Sequence, residues 1–148
     1  MLLSSEVAVA VVGGSGIAVA GPLVWEVLRG GEEDVESGGS AKPRRKVCLV
    51  WIVQRAEHVE WFGRERLLEL EGKGVRVVMP EPTGRAGRPD VGALVRGCVE
   101  ELTGGDLGRK VGVVVSGPDG MNRAARNCCA EMMREGRRVE VAVEKFGW

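Results

Sequence analysis

The stretch "VVGGSGIAVAG", residues 11–21, decides how this chain is read. It sits inside an uncharged run, residues 7–25, bounded by Glu6 and Glu26. A membrane-spanning helix requires about twenty apolar residues, and the run nearly supplies them. Yet Gly13, Gly14, Ser15 and Gly16 stand at its centre and Pro22 follows, all poor in a helix interior. The first six residues hold no Lys or Arg, so the basic n-region of a signal peptide is missing. The reading taken forward is a buried strand, residues 7–12, that ends in a glycine turn and is followed by a helix to about Arg29. A short continuous apolar run of this kind suits a strand covered on both faces.

Working outward, the same alternation repeats. "GGEEDVESGGSAKPRRK", residues 30–46, is polar and lacks an apolar period, which predicts a long surface loop over about residues 30–45. "VCLVWIV", residues 47–53, reads as a second strand. "AEHVEWFGRERLLELEG", residues 56–72, places Val59, Phe62, Leu67 and Leu70 at helical spacing, with Gly72 and Gly74 as stop signals. "VRVVM", residues 75–79, is a third strand. A Pro- and Gly-rich loop, residues 80–90, leads into the helix "VGALVRGCVEEL". "VGVVVS", residues 111–116, is a fourth strand that ends at "GPDG", and the helix "MNRAARNCCAEMMREG" comes next. "VEVAVEKF", residues 139–146, closes the series. Apolar strands alternating with helices predict an α/β fold. Right-handed crossovers then give a doubly wound five-stranded parallel sheet ordered 3-2-1-4-5, one domain over residues 1–148.

Composition narrows the function classes. The 148 residues carry 21 basic and 21 acidic side chains. A net charge of zero provides no field to draw nucleic acid or an anionic membrane surface. The four cysteines, Cys48, Cys98, Cys128 and Cys129, form no C-x-x-C pair, and the one histidine, His58, adds no second ligand type in number. That spacing argues against a zinc site and a disulfide scaffold. It favours free thiols buried as small hydrophobes in a reducing compartment, with His58 a solvated helix residue.

Spacing sorts the glycine turn among its known kinds. A Walker loop needs Gly-Lys-Ser/Thr after four intervening residues; from Gly16 that distance reaches Gly21-Pro22-Leu23. The G-x-G-x-x-G fingerprint fails because Val19 stands at the third glycine. That fingerprint also wants an acid at the end of strand two, where this chain has Gln54 and Arg55. A positive charge there suits a 2′-phosphate and so NADPH over NADH. What is left is a strand, a "GGSG" turn and a helix N-terminus whose amides can hold a pyrophosphate. A merely tight turn remains the alternative.

A second glycine turn, "SGPDGM" at residues 116–121, follows strand four, beside strand one in the expected order. Ligands of doubly wound sheets lie outside the carboxyl ends of the strands at the switch point. Taken together, "VVGGSGIA", "LVWIVQRAEHVEWF", "GRPD", "VVVSGPDGMNRAARN" and the terminal "VEVAVEKFGW" resemble the NAD(P)H-binding half of ferredoxin-reductase-like flavoproteins. The likeness is to the ferric-chelate reductase and NADPH oxidase branch, and it covers nearly the whole chain in order and spacing.

The resemblance implies roles. Gly13, Gly14, Ser15, Gly16 and Ile17 would hold the pyrophosphate and approach the nicotinamide ribose. Gly117, Pro118, Gly120 and Met121 would form the turn under the nicotinamide half. Arg88 matches an arginine near the adenosine phosphate. Phe146 matches the aromatic that covers the flavin ring, with a core role as the alternative, while Trp51, Trp61 and Phe62 read as packing residues. Two positions depart from the family pattern. The strand-two motif W-x-x-R has Gln54 at its arginine, leaving Arg55 on the opposite face. Ser116 stands where many relatives have the cysteine of Cys-Gly-Pro.

The cofactors so implied are NADPH or NADH, with FAD held by a domain not in this chain. With no tyrosine, the chain lacks the Arg-x-Tyr-Ser/Thr flavin motif, and one histidine cannot pair for haem. The expected function is therefore the nucleotide-presenting half of a reductase that passes hydride to FAD and electrons on to ferric iron. It would work with a flavin-binding partner domain, in the cytoplasm or at the cytoplasmic face of a membrane reached only through other domains. The alternative is a non-catalytic nucleotide-binding or interaction module.

Overall fold

The computed structural model describes residues 6–13, 46–53, 55, 57, 60, 63–80, 83, 87 and 89–143. The helix expected after the first strand, the long loop, His58, Trp61, Phe62 and the chain beyond residue 143 lie outside them.

All five apolar runs are strands: β1 (Val7–Gly13), β2 (Lys46–Ile52), β3 (Arg76–Val78), β4 (Lys110–Ser116) and β5 (Arg138–Val143). Every pairing is parallel, and the sheet runs β3-β2-β1-β4-β5. The doubly wound order expected from the sequence is the one observed. The first seven residues of the uncharged run are thus the central strand. Among the described residues no helix is long and apolar enough to cross a membrane.

Continuous apolar runs fit here because β1 is covered on both sides. Val7, Val9 and Val11 enter one core cluster, while Ala8, Ala10 and Val12 enter another. Side chains alternate across a strand, so two buried faces require an unbroken apolar sequence. On the first face lie helices α2 (Val91–Thr103) and α3 (Asp119–Arg134). They contribute Val91, Val95, Cys98 and Val99, and Ala125, Cys128, Cys129 and Met132. Both sets follow the i, i+3/i+4, i+7 stripe of an amphipathic helix. On the second face Leu67 and Leu70 of helix α1 (Arg64–Gly72) pack against Leu49 and Trp51. Trp51 is fully buried, so the packing role expected for it holds.

Several boundaries moved. The single helix expected over residues 56–72 is corrected: α1 begins at Arg64, because Gly63 at φ 97° breaks helical geometry. The helix expected from Met121 begins instead at Asp119, with Pro118 at its N-cap. First-turn amides need no intrahelical partner, so Gly120 is tolerated there, and the Asp119 carboxylate suits the positive end of the helix dipole. That helix ends where expected, with Gly136 at φ 97° and the Arg137 amide returning to the Met132 carbonyl at 3.0 Å.

An ion-pair clamp joins α2 to the end of α3. Arg96 donates to Glu135 at 2.7 Å and reaches Glu131 at 3.5 Å. The hydrogen bond from Arg96 holds the Glu135 carboxyl below its ordinary range. A carboxyl lowered in the folded state leaves the unfolded chain binding more protons, so its contribution is present above the ordinary carboxylate range. It is lost as pH falls through that range to the lowered folded value. In low salt, wild type is expected to melt above Arg96→Ala at pH 7, and the gap is expected to shrink at an acid pH below the ordinary carboxylate range. Thermal melts at both pH values check this; a gap that survives acid assigns the effect to packing of the Arg96 stem.

Candidate functional site

β1 and β4 are neighbours, with Val12 opposite Ser116. Chain order along the sheet reverses between them, so their carboxyl ends mark the switch point. There Gly13, the last residue of β1, meets the turn after β4. A Cβ on Gly13 would lie 3.2 Å from Pro118 Cδ, 3.3 Å from Met121 Sδ and 3.5 Å from Gly117 Cα. A Cβ on Gly117 would run into the Met121 side chain and lie 3.5 Å from the Gly13 nitrogen. Neither glycine has a positive φ. They are glycines because two strand ends and a methionine crowd together, not because the backbone is left-handed.

Next to this contact, α3 starts without a side-chain cap. Its first backbone bond is from Asn122 N–H to the Pro118 carbonyl, 3.0 Å, which leaves the amides of Asp119, Gly120 and Met121 at the helix mouth. By contrast α2 is capped by Asp90, whose carboxylate accepts from the Ala93 amide at 3.0 Å. An uncapped helix start attracts anions through its amides and its dipole. The Asp119 carboxylate in that first turn opposes them in part.

Two buried polar atoms complete the arrangement. Ser116 is 1 % exposed, and its Oγ has no hydrogen-bond partner among the described residues. Asn122 donates from Nδ2 to the Gly117 carbonyl at 3.0 Å, fixing the turn, while its Oδ1 is without a partner among the described residues. A buried polar atom left unsatisfied costs roughly 1–3 kcal/mol, so each is a group with capacity for a ligand or a water. Asn122 was missed in the sequence. Its signal is its place one helical turn into α3, where side chains lean back over the N-terminus.

Of the residues picked out from the sequence, the structure brings together Gly13, Ser116, Gly117, Pro118 and Met121. The expectation that Gly120 and Met121 lie in the turn itself is corrected: both belong to the first turn of α3, and only Gly117 and Pro118 link it to β4. Arg55 is exposed beyond the end of β2. Gly14, Ser15, Gly16, Ile17, Gln54, Arg88 and Phe146 lie outside the described residues. In "GRPD" the aspartate is the cap of α2 just described.

A groove of about 470 Å³ runs along α3 beside the end of β5, lined by Asp119, Asn122, Arg123, Arg126, Asn127, Ala130 and Val143. It touches the site through Asn122 and brings two cations near it. A scan against protein-family models and a search of curated proteins found no match to the chain.

Proposed function

We propose that the chain is an NAD(P)H-binding module of a ferric reductase-like flavoprotein. It holds the nicotinamide nucleotide so that hydride passes to an FAD carried by another domain, and electrons pass on to ferric iron. The observation that carries this reading is the meeting of Gly13 and Gly117 at the switch point, beside the uncapped start of α3. The unpartnered Ser116 hydroxyl and Asn122 carbonyl oxygen supply a fit to a polar ligand. In this reading the α3 amides and the glycine turn after β1 take the pyrophosphate, and Ser116 and Asn122 orient the nicotinamide end. A bound nicotinamide supplies the hydride; the chain's own residues bind, orient and exclude water.

Isothermal titration of the purified chain with NADPH and NADH tests the proposal. Binding of NADPH is expected, with no flavin absorbance in the preparation. Gly16→Val places a branched side chain where the turn after β1 would approach the phosphates. Affinity is expected to fall at least tenfold, about 1.4 kcal/mol, with an unchanged circular dichroism spectrum. Equal binding by a folded variant removes the phosphate role from that turn.

One observation favours the alternative of a non-catalytic module. Met121 packs between Gly13 and Gly117, so packing alone accounts for two of the glycines. Absence of any nucleotide heat in the titration selects an interaction module over nucleotide binding.

A further inference from the structure

Cys48 and Cys98 lie fifty residues apart in sequence, on different elements, and their sulfurs stand 2.8 Å apart. Cys48 is on β2 and Cys98 on α2, both buried in the core of the first sheet face. A disulfide is about 2.05 Å long, so the two sulfurs need to close by only about 0.8 Å. Cys48 is fully buried and Cys98 nearly so. Arg76 of β3 is the register partner of Cys48, and Glu101 stands one helical turn beyond Cys98. The two join in an ion pair at 3.3 Å, with both side chains more than half exposed. An exposed ion pair of this kind contributes little stability, so it opposes local opening only weakly.

We propose that Cys48 and Cys98 are a reversible redox pair, oxidised by hydrogen peroxide to an intramolecular disulfide that ties β2 to α2. The two sulfurs have different parts. Cys48 S–H donates to Cys98 Sγ. That hydrogen bond, working against burial, favours the thiolate of Cys98, while giving it, together with burial, keeps Cys48 protonated. Cys98, the slightly exposed member at 4 %, therefore attacks first. Its thiolate sulfur bonds one peroxide oxygen, the O–O bond breaks, and hydroxide leaves as water after taking the Cys48 proton. Cys98 is then a sulfenic acid. The Cys48 sulfur attacks it, the S–S bond forms, the S–O bond breaks, and a second hydroxide leaves, taking a proton from solvent. Two thiols have lost two electrons and one peroxide has become two waters. Dithiothreitol reverses the change by thiol–disulfide exchange.

Cys128 and Cys129 are the internal control. They are adjacent on α3, so their side chains point in different directions. Cys128 donates to the Gly92 carbonyl at 3.2 Å, and burial pushes the Cys129 thiol up to about 12.

The full chain is treated with a small excess of hydrogen peroxide, alkylated, digested and mapped without reduction. One linked peptide joining Cys48 to Cys98 is expected, and titratable thiols fall from four to two. Closing a loop of fifty residues is expected to raise Tm by about 10 °C, an effect that dithiothreitol removes. Cys48→Ser is expected to leave a sulfenic acid on Cys98 that a dimedone probe traps. Wild-type mapping needs no variant to fold. Oxidation first at Cys128 or Cys129, a Cys98 oxidised further without linkage, or four thiols surviving peroxide each overturns the proposal.

Discussion

Trp51→Ala is expected to remove about 4 kcal/mol of stability, the largest loss from any single truncation in this fold. The indole is fully buried at a position opposite Val12 on the central strand. It fills the second core cluster with Ala8, Ala10, Leu49, Leu67 and Leu70. Among the described residues the rest of that cluster is Ala, Val and Leu, each much smaller than the indole, so truncation leaves a space its neighbours fill only in part. A tryptophan buries roughly 200 Å², an upper bound near 5 kcal/mol at about 25 cal/mol/Å², and alanine keeps a part of that area. Against a total stability of about 5–15 kcal/mol, Tm should fall by roughly 10–15 °C. Urea unfolding checks it, with Trp51→Phe expected between the two. A loss below about 1 kcal/mol is incompatible with a buried indole.

Gly13→Val is the second large effect, and it acts on fold and site together. A single Cβ already meets Pro118, Met121 and Gly117 at 3.2–3.5 Å. Valine adds two methyl groups at that junction. Forcing extra carbons into a packed contact costs about 1–3 kcal/mol, so a loss near 2 kcal/mol is expected in urea unfolding. If the glycine contact also seats the nucleotide, NADPH affinity falls more than tenfold in the same variant. The double variant Gly13→Val with Met121→Ala separates the two roles. Relief of the crowding should restore much of the stability, since contacting residues are not additive. Nucleotide affinity should stay low, because the valine still stands at the strand end. Recovery of both assigns Gly13 to packing against Met121 alone.

Strands were the most legible part of this chain. The three inner strands read as near-continuous apolar runs because both sheet faces are covered there, and each observed strand lies within a few residues of its expected bounds. The order followed from the parallel alternation and the crossover rule. Helix starts were less legible. "GPDG" looks like a turn by composition, yet helix first turns accept Asp and Gly because their amides have no intrahelical partner to lose. At Gly63 the helix begins although the apolar spacing runs on before it, since periodicity carries no information on φ. The site was half legible. The meeting of Gly13 with Gly117 could be expected from adjacent strand ends. The wedge between them, Met121, and the anchor, Asn122, could not, because both depend on where α3 begins.

The sulfur contact was invisible at the same level. Cys48 and Cys98 face each other only once β2 is laid in the middle of the sheet and α2 across it. No spacing rule joins residues on separate elements of a layered fold.

The order of pairing has a kinetic consequence. Among the described residues all strand pairs are parallel, so each sheet contact closes a long loop, the topology that folds slowly. Val7 pairs with Lys46 on one side and with Val111 on the other. At a synthesis rate of about 5–20 residues per second, β1 leaves the ribosome roughly 5–20 s before its β4 edge exists. For that interval one side of "VAVAVV" is an unpaired, uncharged β-strand, the kind of segment that associates with copies of itself. During synthesis, then, the edge of β1 that β4 will cover is the exposed one, a hazard that the finished sheet does not show.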